Sequence, residues 1–190
     1  MPKKIWLWLA LCGISTCAVA DEAELYLSDD SVQGRYITSA GRIGISTGEL
    51  GAELLINEQD DVSAAVDLNF IGAPAGMTSW TFGAGPKLYA ATLDAFSVDE
   101  NYAAVAIGAS AAYALPLMVP VKVTGQYYIA PKITTVGDAE DLSDFIIRVE
   151  TQFSESVTGF LGFRLYRTDL DDSTDHDLDD QVHIGVRLAF

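Results

Sequence analysis

Cysteine, histidine and positive charge are all scarce in this chain. Its 190 residues hold two cysteines, two histidines and 11 lysines and arginines against 27 aspartates and glutamates, a formal net charge of −16. Both cysteines, Cys12 and Cys17, lie within the first twenty residues. If that segment is removed, no disulfide and no thiol chemistry remain, and the rest of the chain can cross an oxidising compartment without mispairing. The excess of acidic residues argues against nucleic acid as a partner. A second long hydrophobic run is also missing, so no helix after the N-terminus is expected to cross a bilayer, which takes about 20 apolar residues.

The N-terminus has the order of parts of a secretory signal peptide: Lys3 and Lys4, an apolar run from Ile5 to Ile14, then Ala18-Val19-Ala20. Cleavage after Ala20 divides the chain into a signal peptide, 1–20, and one mature domain, 21–190. Ile14-Ser15-Thr16-Cys17 resembles a lipoprotein processing site, but Thr16 is larger than the residue such a site takes, and the Ala-Val-Ala that follows serves cleavage better. Without Lys3 and Lys4 the mature chain keeps nine basic residues against the same 27 acidic ones.

At the other end, Val182, Ile184, Val186, Leu188 and Phe190 alternate with Gln181, His183, Gly185, Arg187 and Ala189, and the chain stops on the aromatic ring. Every second side chain facing lipid, with a final ring at the membrane boundary, is the pattern of a last strand in a bacterial outer-membrane barrel. These five apolar positions are the expected signal for the barrel-insertion machinery. The segments between repeat the same period of two, as in Val62 to Phe70, where Val62, Ala64, Val66, Leu68 and Phe70 oppose Ser63, Ala65, Asp67 and Asn69. Strands of about 9 to 12 residues are expected, the length that crosses a bilayer at a tilt. No helical pattern separates them, so the sheet is an antiparallel meander that must close. The fold class is therefore all-β, a transmembrane up-and-down barrel of ten strands, with eight as the alternative should two weak N-terminal segments lie outside the wall.

With Phe190 placed at the periplasmic side, Phe70, Trp80, Phe82, Tyr113 and Phe153 fall outward near one rim, and Tyr127 and Phe145 near the other, as two aromatic girdles require. The acidic segments Glu58–Asp61, Leu93–Glu100, Val136–Asp144 and Thr168–Asp180 then become external loops. Pro86 sits inside a strand with no free edge, where it is expected to mark a bulge. The rival is a soluble barrel with its apolar face inside. Against it stand the charges of the polar face, namely Arg35, Glu53, Asp67, Lys87, Lys122, Asp144, Arg148, Glu150, Arg164 and Arg187, and the terminal Phe190.

Several stretches carry a family resemblance: Asp29-Asp30-Ser31-Val32, Gly83-Ala84-Gly85-Pro86-Lys87-Leu88-Tyr89, Tyr113-Ala114-Leu115-Pro116, Tyr127-Tyr128-Ile129-Ala130-Pro131, Leu178-Asp179-Asp180 and Val186-Arg187-Leu188. The mature chain resembles the YfaZ family, small outer-membrane proteins of proteobacteria, over nearly all its length. That resemblance implies the location and the barrel. It implies no catalytic residue. Pro86 departs from relatives in which a glycine directly precedes Lys-Leu-Tyr.

Three chemistries are open. The lumen charges, with His183 among them, either line a solute path or fill a narrow barrel as salt bridges. The near balance of sign and the small strand number favour filling, and with it a structural or porin-like role. The run from Asp169 to Asp180 holds seven carboxylates in twelve residues. Asp171, Asp175, Asp177 and Asp179 are candidate ligands for calcium or magnesium, in a bridge to lipopolysaccharide or a surface partner, although a solvated acidic loop is the commoner fate of such a run. It is not an EF-hand, since Asp180 stands where the turn glycine belongs if Asp175 opens the loop. No other cofactor is expected. The third is a lipid-modifying or proteolytic site using His183 with Asp144 or Glu150, but no serine motif accompanies either histidine, and no catalytic residue is assigned. A monomer contacting outer-membrane lipid is the expected state. Deleting Phe190 is expected to impair insertion; fractionation showing as much heat-modifiable barrel in the outer membrane as the parent would contradict this.

Overall fold

The computed structural model describes residues 21–95, 98–170 and 175–190. The signal peptide expected over residues 1–20 lies outside the described residues. What is described is almost all strand: β1 (Glu22–Leu27), β2 (Ser31–Ile43), β3 (Ser46–Asn57), β4 (Val62–Gly72), β5 (Trp80–Ala95), β6 (Val98–Leu115), β7 (Val121–Ala130), β8 (Thr135–Gly137), β9 (Ala139–Ser154), β10 (Val157–Leu170) and β11 (Asp175–Ala189), with one turn of 3₁₀ helix at Lys132–Thr134. Each strand pairs antiparallel with its neighbours in the order β5-β4-β3-β2-β1-β11-β10-β9-β7-β6, and β6 returns to β5. Ten strands thus make a closed wall. The three residues of β8 extend it where β7 has ended, pairing with Tyr102, Ala103 and Ala104.

Alternation sets which face each residue takes. On β4, Ser63, Ala65, Asp67 and Asn69 are buried inside, while Val62, Val66 and Phe70 face out. Across the barrel the contrast is extreme. Ile107, Ile184 and Val182 on the outer wall are 70, 65 and 61% exposed, whereas Lys87 and Arg164 are 0% exposed. A sheet with apolar outer residues and buried charges inside is the inverse of a soluble barrel and suits hydrocarbon around it. The soluble alternative is thereby set aside.

The strand lengths differ from expectation. They run from six residues in β1 to 18 in β6, against the 9 to 12 that a bilayer requires. At the end away from the termini, much of the sequence read as acidic loops is strand. β5 pairs with β6 residue by residue out to Ala95 and Val98, and β10 pairs with β11 out to Asp169 and Asp175. The reason is that acidic side chains on a ladder beyond the lipid stand in water at no burial cost, so nothing stops the hairpin from zipping to its turn. Glu58–Asp61 does stay a turn, with Asp60 in the left-handed region at φ 66°, which a short polar side chain tolerates.

Pro86 makes no bulge. β5 pairs with β6 straight through it, Pro86 opposite Ile107. On the β4 side the pairs Asp67 to Lys87 and Phe70 to Ala84 keep one register, with the ladder open between them. Proline has no N–H to give there, and Gly85 lies so close to β4 that a Cβ would collide with the Leu68 carbonyl oxygen. Bulges lie elsewhere, between Ser39 and Arg42 and between Tyr166 and Arg167. Gly85→Ala is expected to lower stability by about 1–3 kcal/mol through overpacking against backbone, whereas Gly34→Ala, with open space around it, should change little. Urea unfolding midpoints of the two variants refolded in vesicles check this.

Candidate functional site

The interior is built in layers, because inward residues on adjacent strands stand directly opposite one another. Glu24 on β1 faces Arg35 on β2 and Arg187 on β11; Arg35 faces Glu53 on β3; Asp67 on β4 faces Lys87 on β5; Lys122 on β7 faces Glu150 on β9. Three of these five pairs bond directly, and Lys87 and Asp67 take partners on other strands. Arg35 reaches Glu53 at 2.8 Å and Asp67 at 2.7 Å. Arg187 reaches Glu24 at 2.5 Å and Glu150 at 3.2 Å. Arg148 joins Glu24 and Glu150, both at 3.2 Å, and Lys122 joins Glu150 at 3.0 Å.

Deeper in, Arg164 is the hub. Its Nε and Nη2 donate to the two carboxylate oxygens of Asp144 at 2.9 and 2.8 Å, a two-pronged contact that fits a planar guanidinium. Its Nη1 donates to Tyr26 Oη at 2.9 Å and to Gln33. Lys87 completes the layer with Glu53 at 2.6 Å and Asp144 at 3.2 Å. Charges this deeply buried are tolerable only when each has its partners.

Beyond this layer come tyrosines. Tyr89 donates to Asp144 at 2.8 Å and Tyr128 to Asn69 at 2.8 Å, while the Tyr102 and Tyr166 hydroxyls are 2.9 Å apart. Tyr166 also meets Ser63, at 3.0 Å. Past them Leu93, Leu142 and Leu178 join the same buried cluster and close the far end. Towards the termini the packing loosens into a chamber of about 270 Å³, lined by Arg35, Glu49, Lys122, Arg148, Glu150 and Arg187 among others.

All ten expected lumen charges are therefore inside, and they meet as ion pairs. His183 is also inside, 2% exposed, but neither Asp144 nor Glu150 bonds it. It packs against Tyr26, tilted at 4.5 Å, and edge-on against Phe160 at 6.0 Å, and its Nδ1 has no hydrogen-bond partner among the described residues. Both carboxylates are taken by arginines, so the expected histidine–carboxylate pair does not form.

Of the four aspartates considered for a cation, Asp177 and Asp179 have described side chains, and these two face opposite ways. Asp171 and the Asp175 and His176 side chains lie outside the described residues. The register shift in the β10–β11 pair places both Leu178 and Asp179 inside. Asp179 accepts hydrogen bonds from Tyr26 at 2.7 Å and Ser31 at 3.3 Å. Asp177 stays outside on Arg167 at 2.6 Å. The bulge turns the two to opposite faces, which a sequence read as an open loop could not reveal.

On the outer wall, Tyr127 and Phe145 are cross-strand partners. Trp80 lies against Phe82 at 5.7 Å and Tyr113 at 4.8 Å near the terminus end. Phe70, Phe153 and Phe190 face out, as do Val182, Ile184 and Leu188. Alternation alone puts Tyr89 beside Lys87 and Tyr166 beside Arg164 on the polar face, but reading by sequence missed Glu24, Tyr26, Gln33, Tyr102 and Tyr128. The signal was present, since each has the strand parity of an inward charge, but β1 is too short for its alternation to stand out.

A family model described as YfaZ precursor matches residues 16–190. Among solved structures, the outer membrane channel DcaP of Acinetobacter baumannii is similar at TM-score 0.46 and 11% identity, over 88% of this chain and 54% of that one. The chain thus spans about half the length of that channel. The KdgM porin is similar at TM-score 0.40 and 9% identity, over 90% of this chain and 99% of that one. Comparison with curated proteins gave no match.

Asp144→Ala removes the two-pronged partner of Arg164 and one of the two carboxylates on Lys87, and is expected to cost about 3–5 kcal/mol. Glu140→Ala, which removes an exposed partner of Lys132, should change stability by less than about 0.5 kcal/mol. Denaturant titration of the refolded barrels distinguishes these outcomes.

Proposed function

The chain belongs to the YfaZ precursor family, and from that membership and the two-faced wall we propose that it is an outer-membrane barrel of porin-like build, held closed at rest by its own side chains. It is exported by a signal peptide cleaved after Ala20. The observation that carries closure is the unbroken sequence of buried layers from Arg164 and Asp144, through Tyr89, Tyr128 and Tyr166, to Leu93, Leu142 and Leu178, with exposures of 0 to 3%. A barrel of this size has room for side chains or for a path, not for both.

Orientation follows from charge. Three of the four turns at the terminus end, 44–45, 73–79 and 116–120, contain no charged residue, and the fourth, 155–156, holds Glu155 alone. The opposite end carries Asp29, Asp30, Glu58, Asp60, Glu100, Asp138, Glu140 and Asp141. An acidic rim among divalent cations and lipopolysaccharide phosphates suits the cell surface, and the rim with a single turn carboxylate suits the periplasm. Phe190 with its outward neighbours serves insertion, and Trp80, Phe82, Tyr113, Tyr127 and Phe145 seat the wall at the two interfaces. The barrel acts as a monomer. His183, packed between two rings, is a packing residue, and no catalytic role is proposed.

Planar-bilayer recording tests closure. The refolded wild-type barrel is expected to be electrically silent, and a variant with Tyr89, Tyr128 and Tyr166 all changed to alanine is expected to show discrete steps. Stable steps from the wild type would overturn the reading.

A further inference from the structure

Closure leaves the chamber at the terminus end without a role. It is a cavity of about 270 Å³, and beyond Arg35 it meets the buried layer of Glu53, Lys87, Asp144 and Arg164. It is entered from one end only.

Most charges at its wall are used up. Arg187 is held by Glu24 and Glu150, and Arg148 by the same two carboxylates. Two are not. Glu49, half-buried on β3, lines the chamber with no cation in salt-bridge contact among the described residues. Lys122 on β7 makes one ion pair, with Glu150 at 3.0 Å, and its side chain is 42% exposed; an ammonium group has three protons to donate. Between β3 and β7 lie β4, β5 and β6 on one side and β2, β1, β11, β10 and β9 on the other. The two groups therefore stand on nearly opposite walls of one cavity.

A free carboxylate facing an available ammonium across a small enclosed space matches a solute that carries both charges. A lone anion would leave Glu49 unanswered, and a lone cation would leave Lys122 so. A neutral polyol would satisfy neither charge. We propose that the chamber is a blind binding site, entered from the periplasm, for a small zwitterion of amino-acid or dipeptide size, its ammonium on Glu49 and its carboxylate on Lys122. This rests on the closed-lumen reading.

The test is calorimetric titration of the refolded barrel with diglycine, using acetate and ethylammonium as single-charge probes. Saturable diglycine binding is expected. Glu49→Gln or Lys122→Gln should each weaken it by about tenfold or more, and Glu49→Asp should recover part of the loss, as paired charges in an enclosed site require. Acetate and ethylammonium should bind more weakly by a similar factor. Heat-modifiable mobility verifies that each variant is folded, and neither Glu49 nor Lys122 belongs to the buried layers that hold the barrel together. Absence of saturable binding to the folded wild type, or equal binding in both glutamine variants, would overturn the proposal. So would acetate binding as tightly as diglycine, which would make the chamber a plain anion site. Conductance of the same preparation separates the two readings. A silent barrel that binds no diglycine refutes the site and leaves closure standing; a conducting barrel refutes closure and, with it, the blind site.

Discussion

Hydrocarbon offers no hydrogen bond to a peptide group, and everything else in this molecule follows from that refusal. Ten strands must all be paired on both edges, so the first strand must meet the last. Once the wall is a closed ring with an apolar outside, the period of two sends every other residue into a narrow interior. Whatever the chain places at those positions has to coexist there. Arg164, Lys87, Asp144 and Glu53 are buried together because closure leaves them nowhere else to go.

Their mutual arrangement then becomes a second constraint. A buried guanidinium is costly unless its donors are met, and Arg164 meets carboxylate, phenol and amide partners drawn from β9, β1 and β2. One side chain thereby ties together strands from across the ring. The tyrosines extend the same principle with neutral groups, since each hydroxyl finds Asp144, Asn69, Ser63 or another hydroxyl. The interior is packed by polar satisfaction where a soluble domain would use apolar contact.

The wall was largely legible in the sequence. Alternation in β4, β6 and β11 names the inner and outer faces, and the lumen charges could be assigned residue by residue, because parity is a local property. What was not legible depends on where strands stop and slip. The hairpins β5–β6 and β10–β11 zip through acidic segments that composition marks as loops, since propensity says little once a ladder can continue in water. The bulge beside Arg167 sends Asp179 inside and leaves Asp177 outside, a distinction that period-two reasoning cannot make across an inserted residue. Pro86 shows the converse: a residue expected to shift the register is absorbed as a gap in hydrogen bonding on one side.

The six-residue β1 has a further consequence. The ring is sewn shut by pairing between β1 and β11 over Glu22 to Leu27 and Ile184 to Ala189, with Asp21 and Phe190 exchanging backbone hydrogen bonds at its end. A seam so short could slide by two residues and still keep the apolar side chains facing out. Glu24 and Arg187 stand directly opposite each other across it and bond at 2.5 Å. A two-residue slip would set Glu24 against Gly185 or Ala189 and break this pair, leaving Glu24 to Arg148 and Arg187 to Glu150. The ion pair at the join therefore acts as a clasp that favours one phase of the circumference over its neighbours.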